Sequence, residues 1–579
     1  MASAILPADY QPSLPQERLI LKDGTPGAGD RMEFDVLIVG AGPAGLSCAI
    51  ELTKLGKAGG VELNIGVLEK SAALGEHSLS GAVVNPRPFR ELFQHLKDSD
   101  FPFHGRVKKE AVYLLTANGQ WRLPVPPTMH NKGCYVASLC EIVRWLGARA
   151  EEAGVNIFTG FPAASLLTKG NRVVGVRTAP AGLDRDGAPG PTYTAPNDLA
   201  AKVTALAEGT RGMLSQAWCQ WQGVTSRNPQ IFALGVKELW ETKTPLARVI
   251  HTMGWPLPAD AFGGSFMYPL EPNLVAVGLV VGLDYEDAGL DVHVLLQRLK
   301  RHPLFRPYLE GGEMVEWGAK TIPEGGFYAL PNRYSGEGIV ILGDAAGFVD
   351  VPSLKGIHYA MQSGIYAARA IYPAVKALDP AARRLAEYDR LVSHSYVGRD
   401  LYRTRNMRLA FKDGFVLGGL QAALMTLTRG LFPGWRYTIR ADAAKVRRAP
   451  GAPGLRPRAD PEGAARGSPL GRPGSADAPD GTLTFSKVDA VFKSGNATRD
   501  TVPTHLVVGR DIPPDVARFY AAMCPAGVYE LVEPVVGAQH AAPLLRVNAP
   551  NCVDCKATDV LGPRWTPREG GSGPKYKRM

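Results

Sequence analysis

The chain has 579 residues, of which 45% are hydrophobic and 21% charged, so it can bury large cores and is expected to form three or four domains. Seven cysteines in so long a chain argue against a secreted disulfide framework. The net charge of +10 fits an anionic membrane or an acidic partner. Nucleic acid is disfavoured because no zinc-finger spacing, basic heptad region or aromatic RNA-binding motif is present. No uncharged apolar stretch reaches the ~20 residues that a membrane-spanning helix needs.

Residues 1–33 are predicted to form an irregular extension. Their acidic residues and the lack of an apolar run are typical of neither a signal peptide nor a transit peptide. We therefore expect a bacterial protein.

A dinucleotide-binding pattern follows, in the sequence FDVLIVGAGPAGLSCAIELTKLG. The apolar run 34–39 predicts a buried strand, residues 43–54 a helix, and residues 63–68 the next parallel strand. Gly40, Gly42 and Gly45 stand between strand and helix as G-x-G-x-x-G, which permits a tight turn and the approach of a pyrophosphate to the helix N-terminus. Glu69 ends the second strand, where a carboxylate can accept ribose hydroxyls.

Residues 262–285 alternate like two paired strands around a turn at Glu271-Pro272-Asn273. They contain the pair Gly263 and Gly264, which by itself is compatible with a β-bulge that needs no ligand.

A second nucleotide signal lies about 300 residues after the first. The apolar run 339–342 leads into Gly343 and Asp344, and residues 356–377 predict a helix that starts at Gly356. An acidic residue after a strand, followed by a helix N-terminus, is typical of the flavin half of an FAD site. Together the two signals favour FAD over a nicotinamide nucleotide.

Residues 414–428 (GFVLGGLQAALMTLT) form an uncharged segment that is too short to span a bilayer but suits a shallow interfacial helix. A buried core helix is the equal alternative. Basic residues that would suit anionic headgroups flank it: Arg403, Arg405, Arg408, Lys412, Arg429, Arg436 and Arg440.

Residues 449–481 are rich in Pro, Gly, Ala and Arg and predict a flexible linker. The last unit, 482–579, carries three of the seven cysteines: Cys524, Cys552 and Cys555.

At this point the chain resembles the electron-transfer flavoprotein–ubiquinone oxidoreductase family. The resemblance covers nearly the whole chain after residue 33. It rests on segments such as GEHSLSGAVVNPRPFRELF, HTMGWPL, FGGSFMYPL, GLVVGLDY, LKGIHYAMQSGI, CPAGVYE and NCVDCK.

The resemblance implies an α/β fold with α+β parts: a Rossmann-type FAD-binding domain, an interleaved quinone-binding β-sheet domain and a C-terminal ferredoxin-like iron–sulfur domain. We expect FAD at residues 34–250 and 336–377, ubiquinone at 251–335, and a helical, membrane-associating segment at 378–448. Ser80 and Gly81 join the predicted FAD contacts, and Gly263 and Gly264 become the ubiquinone site. No catalytic acid or base is predicted.

The implied activity is transfer of electrons from reduced electron-transfer flavoprotein to ubiquinone. The enzyme is expected to lie on the cytoplasmic face of a bacterial inner membrane, with the lipid surface as a further partner. Two alternatives remain: an FAD-dependent reductase of isoprenoid double bonds, and a non-catalytic membrane docking protein for the flavoprotein. The C-terminal CPAGVYE unit argues against the first, and the intact FAD motifs argue against the second.

The last unit departs from the family's pattern of four cysteines. Cys524, Cys552 and Cys555 match, but Thr558 stands where the fourth cysteine belongs. Asp554, Asp559 or hydroxide could replace the missing thiolate. The site could otherwise hold a three-iron cluster, or none, because cluster assembly depends on thiolates.

Overall fold

A computed structural model describes residues 7–81, 83–377, 385–446, 478–532 and 545–579. Most of the predicted linker, residues 449–477, lies outside the described residues, as do residues 378–384 and 447–448 of the predicted membrane-associating segment.

The first sheet is built around the strand predicted at residue 34. In pairing order its strands are Ile20–Lys22, Ala163–Lys169, Arg172–Thr178, Asp198–Leu206, Arg31–Val39, Ile65–Glu69 and Asn156–Thr159; Ile339–Ile341 also pairs with Asp198–Leu206, and with Ser335–Gly336. The four central strands pair in parallel, which requires crossover connections.

Two helices cross on this sheet, and they are the two that the sequence predicts. Pro43–Ala58 follows the first strand, and Ile357–Lys376 follows the strand Ile339–Ile341. A Cβ on Gly364 would lie 2.1 Å from the carbonyl oxygen of Ala44. The close crossing brings the two predicted FAD segments side by side, although they are about 300 residues apart in sequence.

The second sheet has seven strands. In pairing order they are Glu313–Pro323, Phe232–Glu241, Leu274–Gly282, Gly263–Glu271, Val249–Gly254, Glu110–Leu115 and Gln120–Leu123. The predicted hairpin at 262–285 is confirmed as Gly263–Glu271 paired antiparallel with Leu274–Gly282. The sheet reaches beyond the predicted boundaries 251–335, because Phe232–Glu241 pairs between Leu274–Gly282 and Glu313–Pro323.

One face of the second sheet points to the first domain, the helix Val292–Lys300 packs on the strands Phe232–Glu241 and Leu274–Gly282, and the C-terminal unit packs along the edge strand Glu313–Pro323. That unit contains the helices Lys487–Lys493, Pro514–Met523 and Ala557–Leu561 and two short strand pairs: Leu506–Val507 with Arg564–Trp565, and Tyr529–Leu531 with Leu545–Val547. Its three cysteines belong to the same buried apolar cluster as Met267 and Trp317 of the sheet. The unit is therefore joined to the sheet by one continuous core.

The predicted interfacial segment forms the helix Phe415–Leu427, which packs on the turn Leu409–Asp413. Gly418 and Met425 face inward, whereas Val416, Leu420 and Leu427 are exposed. Within the described part of the chain, the helices are too short or too polar to cross a bilayer. Two flanking residues correct the sequence interpretation. Arg405 is buried and donates to the carbonyl oxygen of Tyr402 at 2.9 Å, and Arg408 is buried in ion pairs with Asp284 and Glu324, so neither faces headgroups.

The remaining helices and short strands connect and cover the two sheets. The helices are Gln16–Leu19, Arg87–Leu92, Leu139–Glu152, Met213–Trp221, Val292–Lys300, Arg306–Leu309, Ala386–His394 and Tyr396–Arg403. The strands are Val83–Val84, Gly105–Arg106, Tyr135–Val136, Ala181–Leu183 and Pro189–Thr194.

Candidate active site

A cavity of about 990 Å³ lies between the first sheet, the second sheet and the C-terminal unit; we call it the central cavity. It reaches from the glycine-rich turn to the helix Phe415–Leu427. Nine residues that the sequence singled out line it: Gly40, Gly42, Glu69, Ser80, Gly81, Gly263, Gly264, Asp344 and Gly356. Gly45 and Gly343 are not in its wall but pack directly behind it.

The glycine-rich turn joins Arg31–Val39 to Pro43–Ala58. Gly40 has a φ of +107°, and a Cβ there would lie 2.4 Å from the carbonyl oxygen of Ala207. A Cβ on Gly45 would lie 2.1 Å from the carbonyl oxygen of Gly40. At Gly42, by contrast, a Cβ would meet no protein atom within 4 Å. The turn therefore leaves open space at the helix N-terminus, where free N–H groups favour an anion such as a pyrophosphate.

Glu69 ends the strand Ile65–Glu69 beside this turn. Its Oε2 accepts a hydrogen bond from the Ala41 N–H at 3.0 Å, and its Oε1 accepts from the Ser71 N–H at 2.9 Å. A carboxylate oxygen can accept more than one bond. Glu69 is thus fixed against the turn and retains capacity for ribose hydroxyls in the cavity.

Asp344 lies opposite the turn. Gly343 packs behind it, since a Cβ there would lie 3.1 Å from the Cβ of Ala44. Burial raises the pKa of Asp344 to about 6, and the positive charge of Lys320 opposes that rise. An acidic group at this depth needs a hydrogen-bonding partner, which the hydroxyls of a ribityl chain can supply. The turn, Glu69 and Asp344 together fit FAD.

The second sheet forms one side of the cavity. Three of its residues, Gly235, Gly264 and Gly278, are glycines, which leave space there because they have no side chain. Gly235 pairs with Val280, which pairs with Gly264, and Gly278 lies beneath the ring of Phe266. Ser80 and Gly81 line the cavity beside this sheet, and Gly81 lies against the rings of Phe266 and Tyr268.

Gly263 and Gly264 lie where two strands approach closely. A Cβ on Gly263 would be 2.1 Å from the carbonyl oxygen of Val280, and one on Gly264 would be 2.4 Å from that of Thr252. Sheet packing alone therefore requires both glycines. A substitution there would disturb the sheet as well as any ligand.

Five lysines line the cavity, and none of them was singled out from the sequence. Lys70 pairs with the Asp554 carboxylate, whereas the other four bind uncharged oxygens. Their ammonium groups donate to carbonyl or amide oxygens: Lys237 to Ser80, Lys320 to Asp554, Lys355 to Asn131 and Lys556 to Thr210, at 2.7 to 3.2 Å. Burial lowers the pKa of Lys237 and Lys320 to about 8 and that of Lys556 to about 7. The signal that could have found Lys237 is the charged pair Lys237-Glu238 inside the otherwise apolar run FALGVKELW.

The three thiols of the C-terminal unit lie together next to this cavity. Cys524, Cys552 and Cys555 are buried, and the first two contribute to raising the pKa of Cys555 after the larger effect of burial. Backbone N–H groups donate to each sulfur, from Ala526 and Val528 to Cys524, from Asp554 to Cys552 and from Ala557 to Cys555. Such bonds stabilise thiolates, and clustered soft ligands of this kind fit an iron–sulfur cluster.

Thr558 occupies the fourth position of this site. Its Oγ1 lies 2.6 Å from the hydroxyl oxygen of Tyr529, and the charges of the three cysteines all contribute to the raised pKa of Tyr529. A pair of hydroxyl groups therefore stands where a fourth thiolate would be expected.

The two carboxylates that could replace a thiolate are already engaged. Asp559 accepts from Arg211 at 2.8 Å and from Arg564 at 3.2 Å. Asp554 is fully buried, with Lys70 at 2.5 Å and Arg568 at 2.8 Å. Both carboxylates are thus held in ion pairs with cationic side chains.

The cavity combines a glycine-rich turn, an acidic strand end, a second acidic segment and a second sheet. This combination defines the class of FAD-dependent oxidoreductases. The profile described as "ETF-QO, ubiquinone-binding" matches residues 232–322, and "Electron transfer flavoprotein-ubiquinone oxidoreductase, 4Fe-4S" matches residues 481–577. The chain belongs to the electron transfer flavoprotein–ubiquinone oxidoreductase family.

Relatives with that name match over nearly their whole length. The protein of Oryza sativa subsp. japonica is 37% identical, with 96% of this chain and 94% of the relative covered. The Pseudomonas aeruginosa protein is 36% identical, with 95% and 99% covered. A solved geranylgeranyl bacteriochlorophyll reductase-like protein from Thermoplasma acidophilum has a TM-score of 0.53 and 19% identity, over 69% of this chain and 92% of that one. At that identity it shows the fold alone.

Proposed function

We propose that this protein accepts electrons from reduced electron-transfer flavoprotein and reduces ubiquinone to ubiquinol at a membrane surface. The observation that carries the proposal is the central cavity. It joins the nucleotide turn, the neighbourhood of the clustered thiols and a helix with an exposed apolar face. FAD and an iron–sulfur cluster, when bound, supply the electron-transfer chemistry.

The proposed FAD contacts divide the cofactor among the elements of the cavity. Gly40, Gly42 and Gly45 shape the pyrophosphate site, and Glu69 accepts ribose hydroxyls. Gly343, Asp344 and Gly356 hold the ribityl side, and Ser80 and Gly81 lie along the ring. Cys524, Cys552 and Cys555 hold the cluster.

The direct test of the proposed function measures quinone reduction by purified protein supplied with reduced electron-transfer flavoprotein. Donor-dependent formation of ubiquinol is expected, with FAD bound at one per chain. Flavin binding without quinone turnover would contradict the proposal, and reduction of an isoprenoid double bond in the same preparation would favour the alternative enzyme.

We propose that ubiquinone enters between the helix Phe415–Leu427 and the start of the strand at Gly263 and Gly264. Gly419 and Ala422 line the cavity on that helix. A Cβ on Gly419 would meet no atom within 4 Å, so a larger side chain there can obstruct the opening without disturbing the fold.

Gly419→Phe is therefore expected to raise the quinone KM at least about tenfold, a barrier of about 1.4 kcal/mol. FAD reduction by the donor flavoprotein should stay unchanged. Gly434→Phe is the matched control, because Gly434 has equal space but lies outside the cavity wall. Equal quinone kinetics in the two variants would place the entrance elsewhere.

We propose that the exposed face of the same helix inserts into the lipid surface. Val416, Leu420 and Leu427 lie on this face, and Leu431 and Trp435 extend it. Arg429, Arg436 and Arg440 are exposed nearby and can meet anionic headgroups at about 1 kcal/mol each. By this proposal the protein binds the cytoplasmic face of a bacterial inner membrane.

Replacing Leu420 and Leu427 by Asp is expected to release the protein from anionic vesicles in a flotation assay. The melting temperature should be unchanged, since both side chains are exposed. Phe492→Asp, equally exposed but on the C-terminal unit, should remain bound. Retained vesicle binding of the double variant would contradict the membrane proposal.

A further inference from the structure

Lys320 lies between the two proposed redox sites. It belongs to Glu313–Pro323, the edge strand of the second sheet, where it pairs with Gly235 on the face toward the central cavity. Its ammonium donates to the carbonyl oxygen of Asp554 at 3.2 Å. Asp554 is the residue immediately before the cluster ligand Cys555.

The next residue on the strand fixes the same loop. The Thr321 N–H donates to the carbonyl oxygen of Cys555 at 2.9 Å. Two consecutive residues of the edge strand thus bind two consecutive residues of the cluster loop. The position of the Lys320 ammonium relative to the thiols is therefore set by the fold and not by a flexible surface contact.

The charge of Lys320 acts on both sites. On the FAD side it lines the central cavity together with Asp344 and opposes the rise in the pKa of that carboxyl, and on the cluster side its ammonium binds the carbonyl that precedes Cys555. Because a carbonyl oxygen carries no full charge, this hydrogen bond does not neutralise the ammonium group. In a protein interior with an effective dielectric constant of about 20, one charge about 12 Å from another shifts an equilibrium about tenfold.

We propose that Lys320 is a shared electrostatic residue that stabilises the reduced states of both FAD and the iron–sulfur cluster. The inference rests on the proposed function, because it requires both groups in the sites given above. Reduction adds negative charge to each group. A fixed cation between them makes both reductions more favourable.

The test replaces the charge and measures the midpoint potentials of the intact protein. FAD is followed by its visible spectrum and the cluster by electron paramagnetic resonance. Lys320→Met is expected to lower the ratio of reduced to oxidised cluster about tenfold at a given ambient potential, which is about 59 mV for one electron. The FAD potential should fall as well, and Lys320→Arg should leave both close to wild type.

Lys237→Met is the matched control. Lys237 is also a buried lysine of the cavity wall, but it donates to Ser80, and the groups that oppose its lowered pKa are Cys140, Glu316 and Glu141. Because Lys237 makes no contact with the cluster loop among the residues that the structure describes, the cluster potential should move less in this variant than in Lys320→Met. An equal shift of the cluster potential in Lys237→Met would overturn the assignment to Lys320.

Unchanged potentials in Lys320→Met with both cofactors bound would overturn the inference, and so would a shift of only one of the two. Lys320→Gln keeps a donor for the Asp554 carbonyl in case the methionine variant fails to fold. Loss of cofactors in both neutral variants, with retention in Lys320→Arg, would assign Lys320 a structural role instead. Wild-type protein without FAD or without a cluster would reject the proposed function itself, and with it this inference.

Discussion

The turn at Gly40–Gly45 lies at the central cavity and the loop at Cys552–Thr558 lies behind it. Different interactions stabilise the two. The turn is held by contacts within about 30 residues and by the adjacent Ala207, with glycines where side chains would collide. The loop and the adjoining Asp559 are held by charges: Asp554 pairs with Lys70 of a distant segment and with Arg568 of the same unit, and Asp559 pairs with the distant Arg211. A site of the first kind is specified by a short motif, whereas one of the second kind depends on the docking of whole domains.

Gly42→Val and Gly45→Val test the steric basis of the turn and should have the largest effects. The Gly42 variant is expected to fold and to lose FAD completely, because its side chain enters open space that a pyrophosphate needs. The Gly45 variant should fail to fold, since its Cβ collides with the Gly40 carbonyl. Flavin absorbance and the melting temperature distinguish the two, and stoichiometric FAD in Gly42→Val would be incompatible with the proposed site.

Asp554→Ala tests the charge-stabilised loop. Removing a buried carboxylate leaves Lys70 and Arg568 without their partner, so the free energy of unfolding should fall by about 3–5 kcal/mol. Glu310→Ala, which breaks the exposed pair with Arg306, is the control and should change the denaturation midpoint little. A similar midpoint in both variants would show that the ion pairs do not stabilise the loop.

Thr558→Cys tests the ligand set of the cluster loop with the smallest structural change. With three thiolates and an oxygen ligand, the cluster should be present under anaerobic conditions and decay in air toward a three-iron form. The added thiol should give a four-iron cluster that survives longer in air, although Tyr529 loses its hydroxyl partner. Iron and sulfide analysis with electron paramagnetic resonance measures both states; absence of iron in strictly anaerobic wild type would contradict the prediction.

The sequence alone was sufficient for features that depend on neighbouring residues. The strand at 34–39, the helix after Pro43, the hairpin at 262–285 and the helix at 357–376 are confirmed. Each is encoded by an apolar period or a turn residue within a short window, where local sterics decide the backbone.

Contacts between residues that are far apart in sequence could be identified only from the tertiary structure. It placed Phe232–Glu241 inside the second sheet, buried Arg408 in ion pairs and brought Tyr529 to Thr558. It also placed Lys320 between Asp344 and Cys555, more than 230 residues before the latter in the sequence. The physical reason is that strand pairing and charge pairing act through space: a lysine in a strand has the same sequence signal whether it faces water or a redox centre.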